Sequence, residues 1–204
     1  MKIICIGRNY AAHAAELNNP IPETPLLFLK PDTAVLKDGK AFYHPNFSND
    51  IHHEIEVVLR ICKNGKSIEQ EFAHKYYDQS TLGIDFTARD LQSKCKEQGH
   101  PWEIAKAFDN SAVLGEMMPL AELRNADGHV DFSLSKNGVQ VQHGNTSQML
   151  SNFDAIISYA SKFFTLQVGD LIFTGTPAGV SQVKIGDVLE GFVGGRRLLY
   201  CEVK

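Results

Sequence analysis

The sequence lacks the compositional biases that mark several protein classes. Its 204 residues carry sixteen glycines and eight prolines, too few for a collagen-like or linker-like chain. Lys and Arg number 20 against 24 Asp and Glu, a net charge of −4 without a clustered basic face, so we expect no nucleic-acid partner. No apolar run approaches the roughly 20 residues of a membrane span, and no signal-peptide core is present. We therefore expect a cytoplasmic protein with no membrane partner.

The cysteines are few and far apart in the chain. Cys5, Cys62, Cys95 and Cys201 have none of the close spacings of a zinc or redox pair. In a cytoplasmic protein we interpret them as free thiols, most of them buried as small apolar side chains. The remaining composition is that of an ordinary globular protein, 43% hydrophobic and 22% charged, in a chain long enough to bury a core without disulfides.

Strand signals dominate the chain. Alternating side chains predict a strand over 55–61, and Asn64-Gly65 after it predicts a tight turn. Asn137-Gly138 between two alternating runs predicts a hairpin over 130–142. Strands in runs with few helices indicate an α+β, mainly β, fold in a single domain over residues 1–204. Further apolar runs predict strands at 2–6, 26–29, 81–86, 171–174, 188–193 and 197–203.

Three helices are predicted beside these strands. Apolar residues at steps of three and four predict a core-facing helix over 148–164. Thr87 to Asp90 matches a capping box that opens a helix ending near Gln98, before Gly99. A short Ala-rich helix is predicted over 9–17. Residues 18–25 contain three prolines and no apolar period, which predicts an exposed loop.

Three carboxylates stand out against this pattern. Glu54 and Glu56 leave the same face of a strand roughly 6–7 Å apart, although such a pair is more often a solvated strand face. Asp85 lies inside an apolar run, where a charge is costly without a partner, and backbone amides are its simpler partner. Together the three offer an oxygen-only site for Mg²⁺, Mn²⁺ or Ca²⁺ rather than zinc. We expect Asp85→Ala to abolish activity and to leave the fold intact, because it also relieves carboxylate repulsion.

A histidine–glutamate pair near the start of the chain is a second candidate. His13 and Glu16 are three residues apart and share a helix face. Such a pair can fix the imidazole tautomer and help it take a proton, although a solvent-facing pair is the simpler interpretation. Lys106 is by default a surface lysine. His52 and His53 are interpreted as structural, because zinc-type spacing is absent.

Six short motifs occur in one order, and in that order they resemble the fumarylacetoacetate hydrolase family. The resemblance runs from Gly7 to nearly the C-terminus, and it is closest to the small single-domain branch of acylpyruvate hydrolases and oxaloacetate decarboxylases. Each motif alone is weak, but six in the same order are highly specific. The motifs are Gly7-Arg8-Asn9-Tyr10-x-x-His13-x-x-Glu16, Leu27-Phe28-Leu29-Lys30-Pro31, His53-Glu54-Ile55-Glu56, Asp85-Phe86-Thr87-Ala88-Arg89-Asp90, Lys106-x-Phe108-Asp109 and Thr174-Gly175-Thr176-Pro177-x-Gly179-Val180.

The resemblance implies a fold, a metal and an assembly. The fold is the mixed β-roll or β-sandwich of a fumarylacetoacetase C-terminal domain, with flanking helices, and the family is usually homodimeric. Glu54, Glu56 and Asp85 match the family's ligands for Mg²⁺ or Mn²⁺. His13 and Glu16 match its catalytic dyad, carried on a lid around residues 13–25.

The resemblance also implies a substrate pocket. Lys106 matches the lysine that faces the substrate, and four further residues match pocket positions: Arg8, Arg89, Gln92 and Thr176. The expected substrate is a small 2-oxo acid. The expected activity is hydrolysis of a C–C bond in an acylpyruvate through a metal-stabilised enolate.

Two alternatives to hydrolysis stay open. One is an oxaloacetate decarboxylase or tautomerase, or a decarboxylase/isomerase of aromatic catabolism, on the same scaffold. The other is a metal-stabilised binding domain without catalysis. The intact His13–Glu16 dyad favours hydrolysis, because simple decarboxylation has less need of a group that activates water.

Overall fold

The computed structural model describes residues 1–17, 20–37 and 39–204. None of the described helices is long and apolar enough to cross a membrane. Short 3-10 helices lie at Asp32–Ala34, Gln70–Lys75 and Thr146–Gln148. The α-helices are α1 (Ala11–Glu16), α2 (Arg89–Gln98), α3 (Glu103–Lys106), α4 (Leu120–Leu123) and α5 (Phe153–Phe163). The strands are β1 (Ile3–Gly7), β2 (Leu26–Lys30), β3 (Val35–Lys37), β4 (Ile51–His53), β5 (Ile55–Ile61), β6 (Tyr77–Asp85), β7 (Thr87–Ala88), β8 (Ala112–Leu114), β9 (Met118–Pro119), β10 (Asp131–Lys136), β11 (Val139–Asn145), β12 (Leu171–Phe173), β13 (Ser181–Gln182), β14 (Val188–Val193) and β15 (Arg196–Glu202).

The largest sheet is mixed and forms the centre of the molecule. Its order is β2-β1-β12-β5-β6-β8-β3, with β9 paired to β6. β1 runs parallel to β12 and β3 runs parallel to β8, whereas the other neighbours are antiparallel. Strands β5 and β6 are buried on both faces along most of their length. A polar side chain on either strand therefore needs a partner inside the protein.

Two smaller sheets complete the β structure. The antiparallel sheet β11-β10-β14-β15 packs against β5 and β6, and β13-β4-β7 forms the third sheet. Gly191 on β14 permits close packing of the two larger sheets, because an added Cβ would lie 3.0 Å from Leu82 and 3.3 Å from Ile55. The fold is mainly β with a few flanking helices, as the sequence predicted.

Of the two predicted Asn-Gly turns, one is confirmed and the other is wrong. Asn137 and Gly138 have φ of 56° and 78°, the left-handed geometry of the predicted hairpin turn. The prediction of a tight turn at Asn64-Gly65 was wrong. Gly65 pairs with Leu166 instead, and a longer segment with a 3-10 helix connects β5 to β6.

Helix α2 begins later than predicted and has no capping box. Thr87 belongs to β7, where it pairs with His52. Ala88 is the residue that precedes the helix, and it makes no side-chain capping bond. Asp90 accepts a hydrogen bond from the Ser48 hydroxyl at 2.7 Å, so it ties the helix to the segment before β4.

Asn9 explains why α5 starts five residues later than predicted. Its side chain donates to the carbonyls of Ser151 and Thr174 at 3.0 and 2.8 Å, and accepts from the Ser151 amide at 2.8 Å. These bonds hold the segment before the helix against the loop after β1. Asn152 then caps α5 by accepting a hydrogen bond from a backbone amide of the first turn.

Replacing Asn9 with alanine is expected to destabilise the protein by about 2–4 kcal/mol, because buried backbone groups lose their partners. Urea unfolding in the presence of a chelator measures the change. Asn125→Ala is a matched control, since Asn125 makes its two turn hydrogen bonds at an exposed site. Equal losses in the two variants would contradict the role given to Asn9.

The predicted loop and lid are described only in part. Asn18 and Asn19 lie outside the described residues. Residues 20–25 have irregular backbone and are largely exposed, in agreement with the loop prediction. The lid around 13–25 stays a prediction, and α1 overlaps its first residues.

Candidate active site

Three carboxylates lie close together near the junction between β4 and β5. Glu54 lies between these strands, and Glu56 follows inside β5. The antiparallel register brings Asp85, at the end of β6, beside Glu54, and the Asp85 amide donates to the Glu54 carbonyl at 2.8 Å. One oxygen from each carboxylate lies within 4.8 Å of the others, and all three residues are buried. We call Glu54, Glu56 and Asp85 the carboxylate triad; its role in binding metal stays a prediction.

Two buried lysines pair with the triad. Lys106, the last residue of α3, places Nζ 2.7 Å from Glu54 Oε2 and 2.7 Å from Asp85 Oδ2. Lys30, the last residue of β2, places Nζ 2.8 Å from Asp85 Oδ1, without the alignment of a hydrogen bond. It also donates to Ser111 Oγ at 2.9 Å and to the Lys106 carbonyl. Asp85 thus faces two buried ammonium groups, so its removal is now expected to destabilise the fold, whereas the sequence alone predicted that it would leave the fold intact.

The members of the triad differ in their electrostatic surroundings. Burial disfavours ionised Glu54, but Lys106 and Arg89 outweigh burial and hold its pKa well below the usual range. Burial and the two neighbouring carboxylates raise the pKa of Glu56 well above the usual range. Among the described residues Glu56 forms no ion pair, and its hydrogen bond comes from the Gly175 amide at 2.7 Å.

The triad fits a hard divalent cation. Its donors are three buried carboxylates, the ligand chemistry of Mg²⁺, Mn²⁺ and Ca²⁺. A cation would also balance the charge of Glu56, which no lysine neutralises. Gly175 has φ of 101°, and an added Cβ would lie 2.7 Å from Asn9 Cβ. Glycine is therefore required for the backbone to reach Glu56 at this point.

Helix α1 carries His13 to the cavity that the triad lines. His13 is buried, and its Nδ1 lies 3.3 Å from Glu16 Oε2. Glu16 stays outside the cavity and accepts hydrogen bonds from the Gly179 amide at 3.0 and 3.2 Å, which ties α1 to the loop after β12. Burial lowers the pKa of His13 and outweighs the opposing influence of Glu54 and Glu16. A neutral imidazole at pH 7 can accept a proton.

The other predicted pocket residues line the same cavity. Arg89 donates to Glu54 Oε1 at 2.5 Å and to Gln92 Oε1 at 2.7 Å, so α2 forms one wall. Arg8 and Thr176 contribute from the loops after β1 and β12. Arg8 has φ of 58°, a conformation that is strained for a residue with a side chain and that clusters at functional sites.

Sequence reasoning assigned no role to several residues at this cavity. Lys30 belongs to the motif Leu27-Phe28-Leu29-Lys30-Pro31. A lysine at the end of an apolar strand indicates a buried charge that needs a partner, as Asp85 does in its own apolar run. Lys96 lies seven residues after Arg89, on the same face of α2, and both line the cavity. Trp102, just after α2, lines it as well. No local pattern indicated Gln142, because its partners come from distant strands.

Gln142 on β11 positions Thr176. Its Nε2 donates to Thr176 Oγ1 and to the Pro177 carbonyl, both at 2.9 Å. Its Oε1 accepts from His53 Nδ1 at 2.9 Å and from the Ile55 amide at 3.1 Å. Because Thr176 Oγ1 accepts from Gln142, its own proton can be donated to a ligand oxygen in the cavity. His53, which also contacts the Ser181 hydroxyl at 2.8 Å, has the structural place that the sequence predicted.

The fold is mainly β, and it places the predicted carboxylates, His13 and Lys106 around one cavity. The chain belongs to the fumarylacetoacetate hydrolase family: residues 2–198 match the family described as fumarylacetoacetate (FAA) hydrolase C-terminal. The family predicted from the six motifs is therefore confirmed.

Relatives and solved structures agree with this assignment. The chain is 40% identical over 188 residues to the oxaloacetate tautomerase YcgM of Escherichia coli, covering 92% of this chain and 86% of the relative. It is 40% identical over 203 residues to the mitochondrial oxaloacetate tautomerase FAHD1 of Mus musculus, covering 99% and 91%. A crystal structure of fumarylpyruvate hydrolase from Pseudomonas aeruginosa, in complex with Mn²⁺ and pyruvate, has a TM-score of 0.92 and 38% identity, covering 100% of this chain and 89% of that one.

These similarities bear on the predicted activity. The prediction of an enzyme is confirmed, and so is the small branch of the family. Hydrolysis, the main prediction, is less well supported than its alternative, because the tautomerases of E. coli and mouse match at 40% identity over most of their length.

Proposed function

We propose that the protein catalyses keto–enol tautomerisation of a 2-oxo acid, with oxaloacetate as the substrate to test first. The observation that carries the proposal is one cavity in which the buried, neutral His13 faces the carboxylate triad and Lys106. Enol formation beside a carbonyl requires a group that accepts the proton from carbon and a positive group near the carbonyl oxygen, both acting on the same bound substrate. The activity named for the E. coli and mouse relatives supports oxaloacetate as the substrate.

The proposed cofactor is Mg²⁺ or Mn²⁺, held by Glu54, Glu56 and Asp85, with Ca²⁺ as a further candidate. The buried acidic oxygens and the Mn²⁺ in the P. aeruginosa structure support a divalent cation. When bound, the cation would supply Lewis-acid polarisation of the keto group of the oxo acid.

His13 and Lys106 have different roles in the proton transfer. Nδ1 of His13 faces Glu16, which leaves Nε2 to take a proton from C3 of the oxo acid. The electron pair of that C–H bond forms the C2=C3 double bond. The protonated imidazole of His13 then returns its proton to the former keto oxygen, directly or through a water molecule, which gives the enol and regenerates neutral His13. Lys106 lines the cavity, and its positive charge stabilises the negative charge that develops on that oxygen. The reverse sequence returns the keto form.

Three further residues hold the substrate. Arg89 and Gln92, joined to each other on α2, present hydrogen-bond donors to a carboxylate in the cavity. Thr176, fixed by Gln142, offers its hydroxyl proton from the opposite loop. Holding the acid in one orientation keeps C3 within reach of His13, and such positioning contributes much of the rate in reactions of this kind.

The direct test follows the loss of the ultraviolet absorbance of enol-oxaloacetate in water, with Mg²⁺ or Mn²⁺. We expect the protein to accelerate ketonisation by at least about a hundredfold over the spontaneous rate, since proton transfer by a positioned side chain contributes 10²–10⁴-fold. EDTA should remove the acceleration. An unchanged rate with metal present would overturn the proposal.

Hydrolysis of an acylpyruvate and decarboxylation of oxaloacetate are the second candidates on the same scaffold. The first is favoured by the similarity to a fumarylpyruvate hydrolase. The second is favoured by 40% identity over 190 residues to the mitochondrial oxaloacetate decarboxylase of Dictyostelium discoideum. Pyruvate release from fumarylpyruvate and from oxaloacetate, compared with the rate of ketonisation of enol-oxaloacetate on the same preparation, ranks the three activities.

The homodimer and the cytoplasmic location remain proposals as well. The family resemblance supports the dimer. Light scattering on the purified chain distinguishes a mass near 45 kDa, about twice the 22.6 kDa of one chain, from that of a monomer.

A further inference from the structure

Two cations at the cavity have no carboxylate partner. Four cationic side chains line it: Arg8, Arg89, Lys96 and Lys106. Arg89 pairs with Glu54, and Lys106 pairs with Glu54 and Asp85. Within residues 1–17, 20–37 and 39–204, neither Arg8 nor Lys96 forms an ion pair. The cavity therefore combines Glu54 and Asp85, which are paired with Arg89 and Lys106, with two cations that pair with no described carboxylate.

The position of Lys96 separates it from the triad. Arg89, Gln92 and Lys96 are spaced by three and four residues on α2, so they follow one face of the helix. Seven residues of helix span about 10 Å, which places the Cα of Lys96 that far along the wall from Arg89. Lys96 is exposed overall, as expected for a residue at the cavity mouth.

A contact with Trp102 limits where the charge of Lys96 can lie. Its Nζ lies 5.6 Å from the centroid of the Trp102 ring, which also lines the cavity. An ammonium over an aromatic face is held by the ring's negative potential. Partial burial, followed by the nearby charges of Arg8, Arg89 and Lys106, lowers the pKa of Lys96 to about 8, so it remains charged at pH 7.

A second carboxylate on the substrate would complete this arrangement. In oxaloacetate that carboxylate is separated from the keto carbon by one methylene group. With the 2-oxo acid end held at the triad, the other end points away from it, towards the cavity mouth. A substrate without this charge would leave the like charges of Arg8 and Lys96, which act on each other in the cavity, without a counterion from the ligand.

We propose that Lys96, together with Arg8, binds the distal carboxylate of a dicarboxylic 2-oxo acid and so determines substrate specificity. The inference rests on the proposed function and adds the residue that distinguishes dicarboxylic from monocarboxylic substrates. Lys96 takes no part in the proton transfer.

The test compares two substrates that differ in one charge: enol-oxaloacetate and its 4-ethyl ester, in which the distal carboxylate is masked. Lys96→Met should lower kcat/KM for oxaloacetate by about tenfold to a hundredfold, mainly through KM, as expected for the loss of a hydrogen bond between charged groups. For the ester the same variant should change kcat/KM by less than about threefold. The two losses are measured at pH 7 with the metal in excess.

Lys94→Met is the matched control, because Lys94 lies on the same helix but does not line the cavity. It should leave both substrates unchanged. Equal losses for acid and ester, or no loss for either, would overturn the role of Lys96 while leaving the tautomerase proposal intact. If the wild-type protein accelerates neither substrate, the proposed function itself fails.

Discussion

Asp85→Asn is expected to lower the free energy of unfolding by about 3–5 kcal/mol, whereas Glu56→Gln changes it by less than about 1 kcal/mol. Asp85 faces the ammonium groups of Lys30 and Lys106, and the amide leaves Lys30 without the carboxylate it contacts and Lys106 with Glu54 alone. Glu56 has no such partner, and a glutamine oxygen can still accept the hydrogen bond from the Gly175 amide. Burial and the two neighbouring carboxylates already raise the pKa of Glu56 and disfavour its ionised form, so replacing it with a neutral amide costs little.

Both variants should nevertheless lose activity by more than about a hundredfold, since each removes a proposed ligand of the metal. Urea unfolding with EDTA gives the stabilities, and titration with Mn²⁺ gives the metal affinities. The two changes are similar in size and lie in one site, so each serves as the control for the other. Similar stability losses in both would mean that the lysine pairing of Asp85 is energetically unimportant.

His13→Ala is expected to lower the tautomerisation rate by about 10²–10⁴-fold, because the proton on C3 loses its acceptor. Decarboxylation of oxaloacetate should fall much less, since its C–C bond breaks without prior removal of a C3 proton. The triad and Lys106 remain, so pyruvate should still bind. The measurements are kcat for both reactions and the dissociation constant of pyruvate in wild type and variant.

Glu16→Gln is the companion variant for His13. Glu16 contacts the imidazole at 3.3 Å but does not line the cavity, so its removal should cost only about tenfold. Equal losses of tautomerisation and decarboxylation in His13→Ala would show that His13 serves a step common to both reactions. The assignment of C3 proton transfer to His13 would then be dropped.

The dyad by itself does not select the reaction. Sequence reasoning took His13 and Glu16 as a sign of hydrolysis, because such a pair can activate water. The structure shows a buried imidazole with a lowered pKa, and a neutral base of this kind serves proton transfer from carbon as well as from water. The similarity to the tautomerases therefore outweighs the earlier preference for hydrolysis.

Much of the fold could be predicted from local patterns. Asn137-Gly138 makes the predicted hairpin because only a few residue types tolerate its left-handed φ. The alternation in 55–61 predicted a strand, and its apolar side chains do enter the core. The same alternation did not show that the strand is buried on both faces. The strand therefore places Glu56 inside the protein, where its charge matters to the site.

The helix starts that were predicted incorrectly depend on contacts with residues far away in the sequence. A capping box at Thr87 is locally plausible, but pairing with His52 draws Thr87 into a strand. The helix predicted from residue 148 starts late because Asn9, more than 140 residues away, binds the preceding segment. Such contacts leave no periodic signal in the sequence.

For the site, the sequence alone predicted most of the residues that line the cavity, because the six ordered motifs identify the family. Only the tertiary structure decided how they are charged and paired. Lys30 and Asp85 meet through strands on opposite sides of the sheet's centre. In the part of the chain that the structure describes, Glu56 has no counterion although it stands two residues from Glu54, which has two, and Lys96 forms no ion pair. The physical reason is that ion pairing depends on distance and burial, which are set by strand register and packing between segments far apart in the chain.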